Sequence, residues 1–65
     1  MRLVRRYQIT YERTGRNGSY EGDGVTVVDT AREAIEWKRS EEESNARTSY
    51  KRINIHIFQV KELVE

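Results

Sequence analysis

One segment with a helical signature constrains the fold most, because strand-like sequence lies on both sides of it. This segment spans residues 29–43. Thr30 is followed three residues later by Glu33, which is the spacing of a capping box: the threonine hydroxyl accepts a hydrogen bond from the amide of Glu33, and the glutamate bonds back to the amide of Thr30. We therefore predict one helix that begins at Thr30 and ends near residues 44–45, with Asn45 as a left-handed C-cap.

The predicted helix has one narrow apolar face. At 100° per residue, Ala31, Ala34 and Ile35 share this face with the stem of Lys38, and Trp37 lies at its flank. Because the face is narrow, the helix needs an apolar surface on which to pack. The flanking sequence must supply that surface.

Three stretches of the chain read as strands. Residues 3–13 alternate between apolar and polar side chains, residues 19–28 end in a valine-rich run at 25–28, and residues 50–62 contain isoleucine at alternate positions. A period of two with β-branched and aromatic residues predicts β-strands. The chain therefore has the order strand, strand, helix, strand.

The first two strands form a hairpin for which two registers compete. A two-residue turn of Asn17 and Gly18 places Ile9 opposite a threonine. A three-residue loop that also includes Arg16, with Gly18 in the left-handed conformation, places Ile9 opposite Val25, so that both strands point their apolar residues the same way. We predict the three-residue loop and its register. The two glycines early in the second strand predict a bulge or an irregular edge.

This order predicts a small α+β domain that spans residues 1–65. We predict a three-stranded antiparallel sheet in the order 2-1-3 with one helix packed on one face. The alternative places the third strand parallel to the second through a right-handed crossover. The predicted core consists of Leu3, Tyr7, Ile9, Tyr11, Val25, Val27, Ala31, Ala34, Ile35, Trp37, Ile53, Ile55 and Ile57.

Size and composition limit what this domain can be. A chain of 65 residues with 35% hydrophobic residues and no cysteine is near the lower limit for folding alone and has no disulfide to stabilise it. This favours burial of an outer face against a second subunit or a partner. A net charge of +1 does not indicate strong steering toward DNA or an anionic membrane. The sequence has no apolar run of membrane-spanning length and no signal-peptide pattern, so we expect a cytoplasmic protein that does not bind membranes.

The residue sets required for catalysis and metal binding are missing from the sequence. His56 is the only histidine, and without cysteine it has no partners for a zinc site. No serine is expected on a constrained turn beside a histidine and a carboxylate, and the glycines do not follow the spacing of a phosphate-binding loop. The glutamates at 41–43 are interpreted as a solvated helix face. We therefore predict a non-enzymatic protein without cofactor or metal.

The apolar phase of the third strand reverses after Ile57, and two alternatives follow. Either a bulge turns Phe58 and Val60 back into the core, or these residues lie on the outer face of the sheet, away from the helix. An apolar strip rimmed by charge on that face is typical of a protein–protein contact, self-association and a homodimer included. The predicted interaction residues are Val4, Tyr20, Val28, His56, Phe58 and Val60.

An alternative function arises at the hairpin end. An antiparallel sheet brings the hairpin loop, the end of the helix and the start of the third strand to the same end. Cations that gather there would contact phosphates, although neighbouring glutamates offset part of their field. The nucleic-acid-binding alternative rests on Arg13, Arg16, Arg47, Lys51 and Arg52.

The arrangement as a whole resembles a known group of proteins. A short hairpin, a threonine-capped helix with the pattern Ala31-x-x-Ala34-Ile35-x-Trp37 and one further strand are similar to small accessory proteins encoded by bacteriophages and prophages. The resemblance covers the element order of the whole chain and carries over no functional residue. It implies a phage-encoded accessory protein, and function must still be argued from the residues themselves.

Overall fold

The computed structural model describes residues 2–64. Its elements are β1 (Arg2–Thr14), β2 (Tyr20–Val28), α1 (Ala31–Asn45) and β3 (Arg52–Val64). The strands form one antiparallel sheet in the order β2-β1-β3, and α1 packs on it. The predicted α+β class, element order and strand order are therefore confirmed.

The helix begins and ends where predicted, but its C-terminus is closed differently. Thr30 is extended (φ −129°, ψ 155°), and its hydroxyl accepts from the amide of Glu33 at 3.1 Å. Asn45 is the last helical residue, and the chain closes on Ala46 with right-handed angles (φ −70°, ψ −13°), so the predicted left-handed cap at Asn45 is wrong. The Asn45 side chain instead bonds the backbone of Arg52, accepting from its N–H at 2.9 Å and donating to its C=O at 2.6 Å.

The face of α1 that meets the sheet is rotated from the predicted one. Ala34 is buried, and the ring of Trp37 packs against that of Tyr11 with centroids 5.1 Å apart. Ala31 and Ile35 are exposed, Ile35 by 56%, so their placement in the core is wrong. The aromatic pair decides the rotation, because burying a tryptophan ring removes more apolar surface from water than burying an isoleucine.

Odd-numbered residues of β1 supply the helix face of the sheet. Tyr11 contacts the helix, and Ile9, two residues earlier, is 0% exposed. Residues directly opposite each other in a sheet point to the same face. Ile57 in β3 lies opposite Ile9, and Gly24 in β2 lies opposite Tyr11. The core is therefore centred on Ile9 in the sheet, and Ala34 is the buried residue of α1.

The hairpin forms the predicted loop and then changes register. The amide of Gly15 donates to the carbonyl of Ser19 at 2.7 Å, and Gly18 has a φ of +77°, so the three-residue loop is confirmed. A bulge in β2 follows at Gly22, whose φ of +123° favours glycine. The extra residue shifts every later pair by one position, so that Ile9 lies opposite Thr26 and the predicted pairing of Ile9 with Val25 is wrong.

This shift reverses the faces of β2, because side chains in a strand alternate with a period of two. Val25 and Val27, predicted in the core, lie on the face away from the helix and are 56% and 50% exposed. Val28 lies opposite Tyr7 on the helix face. The prediction that Val28 belongs to the outer face is therefore wrong.

A second bulge interrupts β3. Asn54 lies at this register shift with a φ of 51°, and its neighbour Ile53 is 38% exposed, so the placement of Ile53 in the core is wrong. From the bulge onward β3 pairs with β1 without further shifts. The bulge thus precedes Ile57 instead of following it, and Phe58 stays on the face away from the helix.

The helix covers only part of the sheet. A helix of 15 residues is about 22 Å long, whereas strands of 13 residues span about 43 Å. Because β2 ends opposite Tyr7, residues Arg2–Arg6 pair with β3 alone. Leu3 and Leu63 at this end are 57% and 68% exposed, so the placement of Leu3 in the core is wrong.

Candidate interaction surface

The outer face of the sheet is the face away from α1. It consists of the even-numbered residues of β1 and the residues opposite them in the two neighbouring strands. The residues of the outer face discussed below are Val4, Arg6, Gln8 and Thr10 from β1, Val25 and Val27 from β2, and His56, Phe58, Val60 and Glu62 from β3.

Phe58 lies near the middle of the outer face. It is opposite Gln8, which in turn is opposite Val27, so these three side chains form one row across the sheet. Phe58 is 50% exposed, and its ring centroid lies 6.3 Å from that of His56. A sheet face that meets only water is normally polar at such positions. The exposed ring therefore makes this row the most unusual part of the surface.

The neighbouring rows repeat the pattern. Val25, Thr10 and His56 form the row on one side, and Val60 lies opposite Arg6 on the other. The apolar side chains thus lie in two columns, on β2 and β3, and the polar side chains of β1 separate them. A protein that covers this face must satisfy the central polar groups by hydrogen bonding, because an unpaired buried polar group is costly.

Charged groups rim the two ends of the outer face. At one end Arg6 is paired through Nε with Oε2 of Glu62 at 3.5 Å and through Nη1 with Oδ1 of Asp29 at 3.8 Å. At the hairpin end the hydroxyl of Tyr20 donates to Oδ1 of Asp23 at 2.9 Å, and this hydrogen bond raises the pKa of Tyr20. Apolar side chains bordered by charged groups are common in protein interfaces.

The structure places most of the predicted interaction residues on this surface. Val28 is the exception, since it faces the helix. Val25 and Val27, which the alternation pattern placed in the core, also lie on this surface, and the glycine at the bulge, Gly22, is the one sequence signal of that placement. The predicted residues on the outer face or its rim are Val4, Tyr20, His56, Phe58 and Val60.

The predicted cations do come together at the hairpin end. An open cleft of about 530 Å³ is lined by Arg13, Lys51 and Arg52, with Glu21 among them. Arg16 and Arg47 line an adjoining cleft that shares Lys51. The five side chains are therefore neighbours, and an acidic side chain lies between them.

Thr14 holds the hairpin end together. Its hydroxyl donates to the carbonyl of Ser49 at 2.7 Å and accepts from the amide of Lys51 at 2.8 Å, and its own amide donates to the carbonyl of Lys51 at 2.9 Å. These bonds join the end of β1 to the segment that leads into β3. The position of the basic cleft thus depends on one side chain.

Arg52 is already engaged within the fold. Its Nη1 donates to both carboxylate oxygens of Glu41 at 2.9 Å, and its guanidinium lies 5.7 Å from the ring centroid of Tyr11. The hydrogen bond to Glu41 raises the pKa of Arg52. Arg52 therefore links α1 to the sheet, and the carboxylate of Glu41 offsets much of its positive charge.

Within the described range 2–64, no group of three His, Cys, Asp or Glu side chains is arranged to hold a metal ion. In the same range, no helix has the length and apolar character needed to cross a membrane. Comparisons with protein-family models, with curated proteins and with solved structures found no match to this chain. The outer face and the hairpin end are therefore the features from which a function is inferred, and the resemblance to phage accessory proteins stays a prediction.

Proposed function

We propose that this chain is a small non-enzymatic interaction protein that buries the outer face of its sheet against another protein, either a second copy or a different partner. Phe58 carries the proposal: a half-exposed aromatic ring lies in a row with Val27 and beside His56. Aromatic side chains at the centre of a contact are the residues that most often dominate binding energy.

The dimensions of the molecule suit such a contact. The principal extents of the chain are 47, 21 and 14 Å, so one broad side is large enough for the roughly 800 Å² per partner of a standard interface. Burial of an exposed aromatic or aliphatic side chain contributes about 1.5–3 kcal/mol. Since Ile9 and Ala34 are the buried hydrophobic residues of the described range, a covered outer face adds substantially to a small core.

Replacing Phe58 with lysine is the test of the outer face. We expect Phe58→Lys to weaken binding at least tenfold, because it removes the central ring and introduces a charge that binding would have to desolvate. Sedimentation of the purified protein at micromolar concentration measures self-association, and pull-down from the native host followed by affinity measurement on the identified protein measures binding to a different partner.

Ile35→Lys is the matched control for this experiment. Ile35 on α1 is also a half-exposed apolar residue, at 56% against 50% for Phe58, but it lies on the opposite side of the molecule. Both variants are expected to keep the circular dichroism spectrum of the wild type. Equal losses of binding in the two variants, or none in either, would show that the outer face is not the contact.

Nucleic-acid binding at the hairpin end is the second candidate function, and the convergence of cations in one cleft favours it. Arg13 and Lys51 line that cleft, and Arg16 lines the one beside it. If this end contacts phosphates, affinity for an oligonucleotide should fall steeply between 50 and 200 mM salt, and Arg16→Ala should lower it. Arg39→Ala, which removes a cation from the exposed side of α1, serves as the control. Affinity that is independent of salt would exclude this function.

A further inference from the structure

The outer edge of β3 carries backbone groups whose direction follows from two sets of hydrogen bonds. In an antiparallel ladder, alternate residues point their N–H and C=O groups to the same neighbour. The amide of Thr14 donates to the carbonyl of Lys51, so the backbone groups of Lys51 point toward β1. The side chain of Asn45 bonds both backbone groups of Arg52, so these backbone groups point away from β1.

Beyond the bulge at Asn54 the same reasoning sets which residues face outward. The backbone of Thr14 bonds β3, so the backbones of the other even-numbered residues of β1 also bond β3. Phe58 lies opposite Gln8, so its backbone N–H and C=O groups point toward β1. Among residues 2–64 no strand lies on the other side of β3. The residues that point their backbone groups to this free edge are Ile55, Ile57, Gln59, Lys61 and Leu63.

Between the bulge at Asn54 and Lys61, the free edge of β3 lacks the features that normally prevent edge strands from pairing. Proteins blunt such edges with charges, proline, bulges or irregular strands. β2, the other edge strand, has the bulge at Gly22 and a second glycine at Gly24. Residues 55–60 of β3 contain no Asp, Glu, Lys or Arg, no proline and no glycine. Six consecutive β-prone residues without charge favour pairing with another strand.

The side chains along this edge are complementary to themselves in one register. When Gln59 lies opposite Gln59 of a second copy, two of the facing pairs join apolar residues, the one histidine meets a carboxylate, and one isoleucine lies along the stem of a lysine. Cross-strand pairs of this kind stabilise a sheet. The facing pairs are Phe58 with Val60, Ile55 with Leu63, His56 with Glu62, and Ile57 with Lys61.

Neighbouring registers are less complementary. A twofold axis at Phe58 places Ile55 opposite Lys61 and His56 opposite Val60. An axis at Ile57 sets Phe58 against His56 and extends the pairing into the bulge at Asn54. The axis at Gln59 uses the regular part of β3 and avoids the bulge.

We propose that two copies of this chain pair through the free edges of β3, antiparallel and centred on Gln59, to form a continuous six-stranded sheet. This pairing concerns the edge of the sheet and does not require the outer face to bind anything. It sets the two outer faces side by side with both Phe58 rings near the twofold axis. The dimer then presents one apolar surface of twice the width.

Cysteine cross-linking tests the register directly, because the chain contains no cysteine. In the dimer the two copies of Gln59 form a hydrogen-bonded pair with Cα atoms about 5.5 Å apart, within the roughly 4.4–6.8 Å span of a disulfide. Gln59→Cys is therefore expected to form a covalent dimer rapidly under mild oxidation. Ile55→Cys is the control, since its two copies lie about 26 Å apart along the strands. A mixture of Ile55→Cys and Leu63→Cys should cross-link.

Proline at the edge tests the hydrogen bonds. Gln59→Pro removes an outward N–H and leaves the bonds between β1 and β3 in place, so we expect a folded monomer by sedimentation and circular dichroism where the wild type and Gln59→Ala are dimers. Val27→Lys on β2 should leave this dimer intact, which separates edge pairing from contacts of the outer face. A wild type that stays monomeric at about 100 μM, or equal cross-linking of Gln59→Cys and Ile55→Cys, would overturn the proposal.

Discussion

Replacing Ile9 with alanine is expected to lower the free energy of unfolding by about 3 kcal/mol, within the range of about 2–5 kcal/mol for isoleucine-to-alanine changes in cores. Ile9 is 0% exposed and is the largest fully buried side chain of the described range. It lies opposite Ile57 in the sheet, beneath the helix. Because a domain of 65 residues is stabilised by only about 3–10 kcal/mol, this single change removes about a third or more of the total.

Ile35→Ala is the matched control for Ile9→Ala. Ile35 is 56% exposed on α1, and alanine is the better helix former, so the free energy of unfolding should change by no more than about 0.5 kcal/mol. Urea unfolding followed by circular dichroism and by the fluorescence of Trp37, the single tryptophan, measures both variants. Equal losses in the two would mean that α1 packs on the sheet through a different face from the one described.

Replacing Tyr11 with alanine is the second change with a large expected effect, about 3 kcal/mol. The ring of Tyr11 packs against Trp37 and under the guanidinium of Arg52, and on its other side it covers Gly24. A Cβ atom placed on Gly24 would overlap ring carbons of Tyr11. Gly24→Ala must therefore displace the ring, and we expect a loss of about 1–3 kcal/mol, as for other overpacked sites.

The pair of substitutions forms a double-mutant cycle with a distinctive outcome. Because the clash at Gly24 involves the Tyr11 ring, Gly24→Ala should cost almost nothing once Tyr11 is alanine. The coupling energy should then be about as large as the cost of Gly24→Ala in the wild type. Unfolding of the wild type, both single variants and the double variant in urea measures it. Additive losses would place the ring of Tyr11 elsewhere than over Gly24.

Local features of this chain could be read from its sequence because their causes are local. The cap at Thr30 depends on residues within one helical turn, and the observed bond to Glu33 confirms it. The loop of the hairpin likewise depends on Gly18 and its immediate neighbours. The strand order follows from element order and short connections.

The interaction surface was harder to predict, because one residue at a bulge determines which side chains of a strand lie on which face of the sheet. The sequence indicated a bulge or an irregular edge in β2, but not how far the register would move. The bulge at Gly22 inserts one extra residue into β2. As a result, Val25 and Val27 lie on the outer face and Val28 lies on the helix face. An alternation pattern contains no information about its absolute phase, so the same pattern fits either face.

The elements, their order and the points at which the helix begins and ends follow from the local sequence, because backbone preference and capping act over a few residues. Which side chains are buried depends on packing between distant segments. Trp37 displaced Ile35 from the contact face of α1, and two bulges set which residues of β2 and β3 face outward. Distant segments share one small core. The packing of the large aromatic rings determines which helix residues face it, and the bulges determine which strand residues point into it.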